Sequence, residues 1–172
     1  MAYDRIADLD LELCVRLNRI SQVRFWRSFF RVVSRLGNGV FWYSLMALLP
    51  LAYGTAAFPT VGRMAVAGVA GLALYRWLKL RTSRPRPFQV YAAINAAAPA
   101  LDRFSFPSGH TLHAVSFSLI AAADFPELAP LLFPFAALIA ASRPILGLHY
   151  PSDVIAGAAI GAAAAQTVLH FL

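Results

Sequence analysis

Two histidines, an aspartate and three cations fall at the ends of apolar stretches in this chain, and their types suit chemistry on a phosphoryl group. Lys79 closes one stretch and Arg86 follows it; Ser108, Gly109 and His110 open a second; Ser142 and Arg143 close a third; His149 and Asp153 open a fourth. Lys79, Arg86 and Arg143 match the charge of a phosphate, and arginine adds bidentate geometry. Pro107-Ser108-Gly109-His110 reads as a helix start. Ser108 is a good N-cap, free N–H groups face an anion there, and Gly109 lets the backbone approach closely. With two imidazoles, one can attack phosphorus while the other protonates a leaving oxygen. Asp153 follows His149 by four residues across Pro151, so a helix starting near Pro151 brings carboxylate to imidazole. Asp153 is the only acid inside an apolar stretch and Asp102 the only other acid near these ends. No metal site is therefore expected, and cations take over the charge stabilisation.

The elements that must position these groups are membrane helices. The chain has 172 residues, 59% hydrophobic and 13% charged, with net charge +7 from 14 arginines and one lysine against eight acids. A soluble domain carries about a quarter charged residues. Five apolar spans are read at residues 39–57, 64–80, 109–123, 128–146 and 152–172, the third of them short for a bilayer. Ahead of them, residues 5–20 form an amphipathic helix with Ile6, Leu9, Leu13, Leu17 and Ile20 in register. Residues 23–36 follow, with an arginine stripe at 24, 27, 31 and 35 beside Phe25, Phe29, Val32 and Leu36. Four arginines are too costly to carry through a bilayer, so this segment is expected in the interface. The fold class is thus all-α: a bundle of about five transmembrane helices (38–172) with an N-terminal interfacial arm (1–37), one domain over 1–172. Its one long connection, 81–108, is expected to be functional.

Alternation gathers the chemistry. If the second span ends on one face, the third starts there, the fourth ends there and the fifth starts there. All the residues named above then meet on that face. Small side chains at 96–98 and 158–165 suit close helix packing. Acids at positions 4, 8, 10 and 12 do not fit the basic start of a secretory leader, and a lone Cys14 excludes an intrachain disulfide. The arginines flank apolar spans rather than lining a soluble basic face, which excludes nucleic acid as the partner.

In these residues the chain resembles the type-2 phosphatidic acid phosphatase superfamily. The three parts of its signature occur in order: Lys79 through Arg86-Pro87, Pro107 to His110, and Ser142-Arg143 with His149 and Asp153. The resemblance implies His149 as nucleophile, Asp153 as its partner and His110 as the acid for the leaving group. Lys79, Arg86, Ser108, Gly109 and Arg143 would cradle the phosphate, with no cofactor. It further implies a lipid phosphate substrate in the bilayer, with a polyprenyl diphosphate such as undecaprenyl diphosphate the first choice. Phosphatidylglycerophosphate, phosphatidic acid and lipid A are the alternatives. Relative to many members the chain is short, and the N-terminal arm stands where a first span would be.

Taken singly, His110 or His149 reads equally well as a helix-capping residue; the constellation favours catalysis. His113 reads as packed, and Trp26, Trp42 and Trp77 as interfacial aromatics. Arg76, Arg81, Arg84 and Arg103 read as headgroup contacts or topology determinants. Two rival classes share this pocket: a vanadate-dependent haloperoxidase, whose relatives are large and soluble, and a non-catalytic lipid-binding or transport protein. The arginine count puts the reactive face in the cytoplasm. The resemblance puts it on the outer face of a bacterial inner membrane, and that is the expectation adopted.

Overall fold

The computed structural model describes residues 2–172, with side chains from Asp8 onward. Of the residues named above, Asp4 and Ile6 have side chains outside the described ones. The protein is 82% helical, with no strand among the described residues. Its helices are α1 (Ala2–Asn18), α2 (Arg24–Arg35), α3 (Phe41–Tyr53), α4 (Phe58–Thr82), the short α5 (Pro87–Val90), α6 (Gly109–Asp124), α7 (Ala129–Ile145) and α8 (Pro151–Phe171). Sequence punctuation explains most of the boundaries. Gly39 (φ 109°) makes the kink between α2 and α3, and Gly54 (φ 63°) ends α3. Prolines open α4, α7 and α8 in their first turns, where a missing N–H is harmless.

Among the described residues, three helical stretches are long and apolar enough to cross a membrane: Arg24–Val90, Pro126–Ile145 and Pro151–Phe171. The first contains both α3 and α4. At 16 residues α6 is the shortest of the last three helices. It compensates by position, since it sits at the centre and packs on α4, α7 and α8. The core joins Trp42 and Leu49 of α3, Met64 of α4, Phe117 and Ile120 of α6, and Leu132 and Ile139 of α7. Large apolar side chains such as Leu51, Val69 and Ile155 point outward, as a lipid solvent allows. The protein is an integral-membrane helix bundle.

Two boundaries differ from the sequence reading. The second span begins at Phe58 rather than residue 64, and α3 stops at Tyr53 rather than 57. Gly54 breaks α3 early, and Pro59 then starts α4 six residues ahead of the apolar run. Close packing also falls to glycine rather than alanine. Gly157 and Gly161 of α8 lie against the backbone carbonyls of Ser108, which caps α6, and of Leu112 within it, the close approach that small residues permit.

The N-terminal arm is turned only partly along its apolar stripe: Leu17 and Ile20 pack against a cluster with Phe30 and Leu146. Leu9 and Leu13 of α1 are exposed, while Asp10, Cys14 and Asn18 are buried. These polar residues, four apart, share the face that meets the bundle. Asn18 donates to the carbonyls of Asn95 and Ile145 and accepts from the Asn95 N–H. Cys14 Sγ lies 3.7 Å from the His149 carbonyl oxygen. In α2, Phe25, Phe29 and Val32 face outward, while Phe30, Val33 and Ser34 face inward. When lipid is the surrounding medium, an apolar stripe marks the outside of a peripheral helix.

Candidate active site

The four helix ends that topology brings together do meet. Ser108 caps α6, its Oγ 3.4 Å from the Thr111 N–H and 2.9 Å from Thr111 Oγ1. Its own N–H donates to the Asp153 carbonyl (3.0 Å), tying the start of α6 to the start of α8. Gly147 (φ 74°) turns the chain between α7 and α8, and the N–H of Leu148 then closes on the Arg143 carbonyl at 3.0 Å. This tight turn sets His149 over Arg143.

A cavity of about 840 Å³ opens at these ends, walled by Lys79, Arg86, Asp102, Gly109, His110, Arg143 and His149. Arg86 is buried and central. It donates from Nη1 to the Leu148 carbonyl (2.7 Å), from Nε to the Asp102 carbonyl (3.0 Å) and from Nη2 to Asp102 Oδ1 (2.7 Å). His149 Nε2 stands 3.2 Å from Arg86 Nη1. Lys79 Nζ donates to Asp102 Oδ1 (2.8 Å) and to the Phe104 carbonyl (2.7 Å). Arg143 is buried, with Nη1 donating to Ser34 Oγ of α2 (2.6 Å) and Nε unpartnered among the described residues. His110 and Gly109 are half-buried at the opening of α6. The cavity thus offers cationic N–H groups, two imidazoles and a helix start to one anion.

His149 Nδ1 lies 3.6 Å from Asp153 Oδ2, too long for a hydrogen bond, and Nδ1 has no other partner among the described residues. Asp153 is fully buried, and its Oδ2 accepts from the Tyr150 N–H at 2.9 Å. Burial, and then the charges of Arg143, Arg86 and Lys79, hold the His149 imidazole well below its ordinary pKa, so the ring is neutral and nucleophilic at neutral pH. Asp102 is shifted down as well, but for a carboxyl that favours the charged form. Burial raises its pKa, but the hydrogen bond and charge of Lys79, followed by Arg86, outweigh burial and hold it below the ordinary carboxylate value.

From the cations the cavity continues toward the middle of the bundle. There it is lined by Trp42, Tyr43 and Met46 of α3 and by Met64, Gly68 and Leu72 of α4. Helices α3 and α4 touch little along their length, so this apolar slot lies between two weakly joined helices. His113 stands on its α6 wall, 3.0 Å from the Gly109 carbonyl and 3.2 Å from that of Gly68. Among the described residues, no three His, Cys, Asp or Glu side chains stand close enough to hold a metal ion.

Six of the eight residues singled out from sequence line this cavity, Gly109 among them; Asp153 is buried, facing His149, and Ser108 is buried with its hydroxyl turned to Thr111. Arg84 differs from the headgroup contact expected of it. Its guanidinium pairs with Asp153 at 2.7 Å and with Asp10 at 2.7 Å. Asp10, Ser34 and Asp102 are further participants that sequence reasoning did not select. Ser34 and Asp10 sit in the arm, far from the motifs in sequence. Asp102 carried a signal, as the lone acid of a basic loop.

A sequence profile of the PAP2 superfamily matches residues 60–172. The chain is 33% identical over 138 residues to a decaprenylphosphoryl-5-phosphoribose phosphatase of Mycobacterium tuberculosis, covering 77% of this chain and 72% of that one. A lipid A 1-phosphatase of Rhizobium johnstonii is 43% identical over 58 residues, or 34% of this chain and 24% of the other. Among solved structures, Aquifex aeolicus LpxE superposes with TM-score 0.77 at 26% identity, covering 95% of this chain and 96% of that one. A transmembrane PAP2-type phosphatidylglycerolphosphate phosphatase from Bacillus subtilis superposes with TM-score 0.79 at 21% identity, covering 97% and 86%.

Proposed function

Because the chain belongs to the PAP2 superfamily and is a lipid phosphatase of that type, we propose that it hydrolyses a polyprenyl-linked phosphate through a phosphohistidine on His149. One observation carries this reading: the cationic end of the cavity is continuous with an apolar slot between α3 and α4. A phosphate held at the rim then leaves its chain in the bilayer, and entry is sideways between the two helices.

In the first step His149 Nε2 attacks phosphorus, a P–N bond forms and the bond to the leaving oxygen breaks. His110 gives that oxygen a proton. Lys79, Arg86, Arg143 and the N–H groups at the start of α6 balance the charge that gathers on the phosphoryl oxygens. Asp153 faces Nδ1 and stabilises the positive ring. In the second step His110, now neutral, takes a proton from water, whose oxygen attacks phosphorus. The P–N bond breaks, inorganic phosphate leaves and His149 is regenerated. A polyprenyl diphosphate such as undecaprenyl diphosphate is the first substrate. The mycobacterial relative's name supports a second, a phosphomonoester on a polyprenyl-linked sugar. Residues 1–172 act as one domain, its arm (1–37) in the interface and its loop 81–108 closing the site, which faces outward from a bacterial inner membrane.

The test is phosphate release by purified protein, in EDTA, from a panel of polyprenyl diphosphate, polyprenyl phosphosugar, phosphatidylglycerophosphate, phosphatidic acid and lipid A. The two polyprenyl lipids should lead, and His149→Ala should abolish turnover while lipid binding persists. Turnover at the wild-type rate in His149→Ala overturns the mechanism, and preference for a diacyl lipid overturns the substrate class.

A further inference from the structure

Beside the site, Arg84 and Asp10, two charged side chains that the mechanism above leaves unused, form a continuous chain with Asp153. Arg84 Nη1 donates to Asp153 Oδ1 (2.7 Å) and to Ser152 Oγ (2.8 Å), and Nη2 donates to Asp10 Oδ2 (2.7 Å). Asp10, on α1, is buried and also accepts from the Ser152 N–H at 2.8 Å and the Ser152 hydroxyl at 2.5 Å. The guanidinium lies over the Tyr150 ring, 4.0 Å from its centroid. Arg84 is thereby held on three sides, by α1, by the first turn of α8 and by an aromatic face. Its sequence gives no hint of this, since it lies two residues before the signature arginine in a run of Arg-Pro pairs.

The geometry decides what Arg84 does to Asp153. The carboxylate has two oxygens: Oδ1 is taken by Arg84, and Oδ2 takes the Tyr150 N–H and faces His149. Two donors at fixed positions set the plane of the carboxylate and choose the oxygen offered to the imidazole. Arg84 also draws negative charge away from the ring. Asp10 limits that effect by sharing the guanidinium between two carboxylates. Resting on the phosphohistidine reading, we infer that Arg84, anchored by Asp10 of α1, is a positioning residue for the His149–Asp153 pair, which makes the N-terminal arm part of the catalytic apparatus.

The inference predicts opposite signs for two substitutions. In Arg84→Gln, Asp153 faces His149 uncompensated, the imidazole keeps its proton more tightly, and the acidic limb of the kcat profile moves to higher pH. In Asp10→Asn, Arg84 pairs more fully with Asp153, and the limb moves to lower pH. The other groups facing His149 are unchanged in both: Arg86, Arg143, Lys79, Asp102 and His110 around the cavity, and from α1 Cys14, whose thiol burial pushes up to about 12 and keeps neutral. Arg84→Lys retains the charge and should restore the limb while recovering only part of the rate. For Arg84→Gln, kcat should drop roughly tenfold to a hundredfold, as a small misplacement at a reacting centre does, with KM within about threefold of wild type.

The full chain in detergent, assayed on the best lipid of the panel, reads all of this. A merely structural role lowers kcat in every variant without moving the limb, and that result, or shifts of the same sign, overturns the inference. Should Arg84→Gln fail to fold, Asp10→Asn carries the test through its predicted shift to lower pH. If wild-type protein releases no phosphate from any lipid, the phosphatase mechanism itself fails; wild-type turnover with unmoved limbs sinks only the role of Arg84.

Discussion

Lys79 Nζ lies 2.8 Å from Oδ1 of Asp102. The same oxygen stands 2.7 Å from Arg86 Nη2, so one carboxylate on the long loop balances part of the charge that two signature cations present. A phosphate using both cations competes with Asp102 or displaces it. The pair also keeps its charge in acid. The net shift holds Asp102 below its ordinary value, so the stabilisation it gives is present above the unfolded-state value near 3.9 and is lost as pH falls through the lower folded value.

Removing that internal anion should tighten the grip on inorganic oxyanions. In Asp102→Asn, the inhibition constant for orthovanadate or phosphate should fall by about tenfold, a modest share of the Coulomb energy of one charge near two cations at a partly exposed site. Product release should slow with it. Inhibition constants equal in the two proteins would show that Asp102 is a spectator.

The nucleophile should work further into acid than a free imidazole. Burial and the three cations keep His149 neutral as pH drops through the ordinary value of about 6.5. The kcat/KM of wild type should therefore show no His149 limb near 6.5, only one well below it. The same shift works against stability, because below about 6.5 the unfolded chain binds a proton there and the folded one does not. A profile that loses activity with a midpoint near 6.5 would place a solvated imidazole at this position.

Sequence showed which groups meet but not what holds them. Alternation of apolar spans was enough to bring Lys79, Arg86, His110, Arg143 and His149 around one cavity, because each lies at a helix end and the ends must share a face. Residues whose role is set by a partner far along the chain were not legible. Arg84 has the same surroundings in sequence as any interfacial arginine, and only the fold puts Asp10 and Asp153 on either side of it. The orientation of α1 was hidden for a related reason: Leu9 and Leu13 of the apolar stripe are exposed, while Asp10, Cys14 and Asn18 are buried.

Ser34 is the arm's second contribution. Its hydroxyl is the acceptor for Arg143 Nη1 at 2.6 Å, in a buried site where Arg143 Nε has no partner among the described residues. Ser34→Ala leaves a buried guanidinium short of a further acceptor, a loss on the order of 1–3 kcal/mol where a buried donor is stranded. The arginine should then swing toward the cavity. We expect KM to change by severalfold with Tm lowered by a few degrees, and Ser34→Thr to restore both. Wild-type values for KM and Tm in Ser34→Ala would remove α2 from the account of Arg143.

The contact between α6 and α8 sets the separation of the two histidines, and glycine sets that contact. A Cβ built on Gly157 falls 2.5 Å from the Ser108 carbonyl oxygen, and the obstacle is backbone rather than a flexible side-chain tip. Ser108 in turn donates its N–H to the Asp153 carbonyl at 3.0 Å. Widening the gap at Gly157 therefore strains the link between the segment carrying His110 and the segment carrying His149 and Asp153. Gly157→Ala should destabilise by about 1–3 kcal/mol, the usual range for overpacking, and should lower kcat more than it raises KM, since the distance between acid and nucleophile changes first. Gly62→Ala is the matched control: nothing lies within 4 Å of a Cβ there, and alanine is the better helix former by about 1 kcal/mol. Thermal unfolding and turnover of the two variants side by side decide the point. Equal stability and equal kcat in Gly157→Ala and Gly62→Ala would mean that the helices have room to spare, and that something other than this glycine fixes His110 relative to His149.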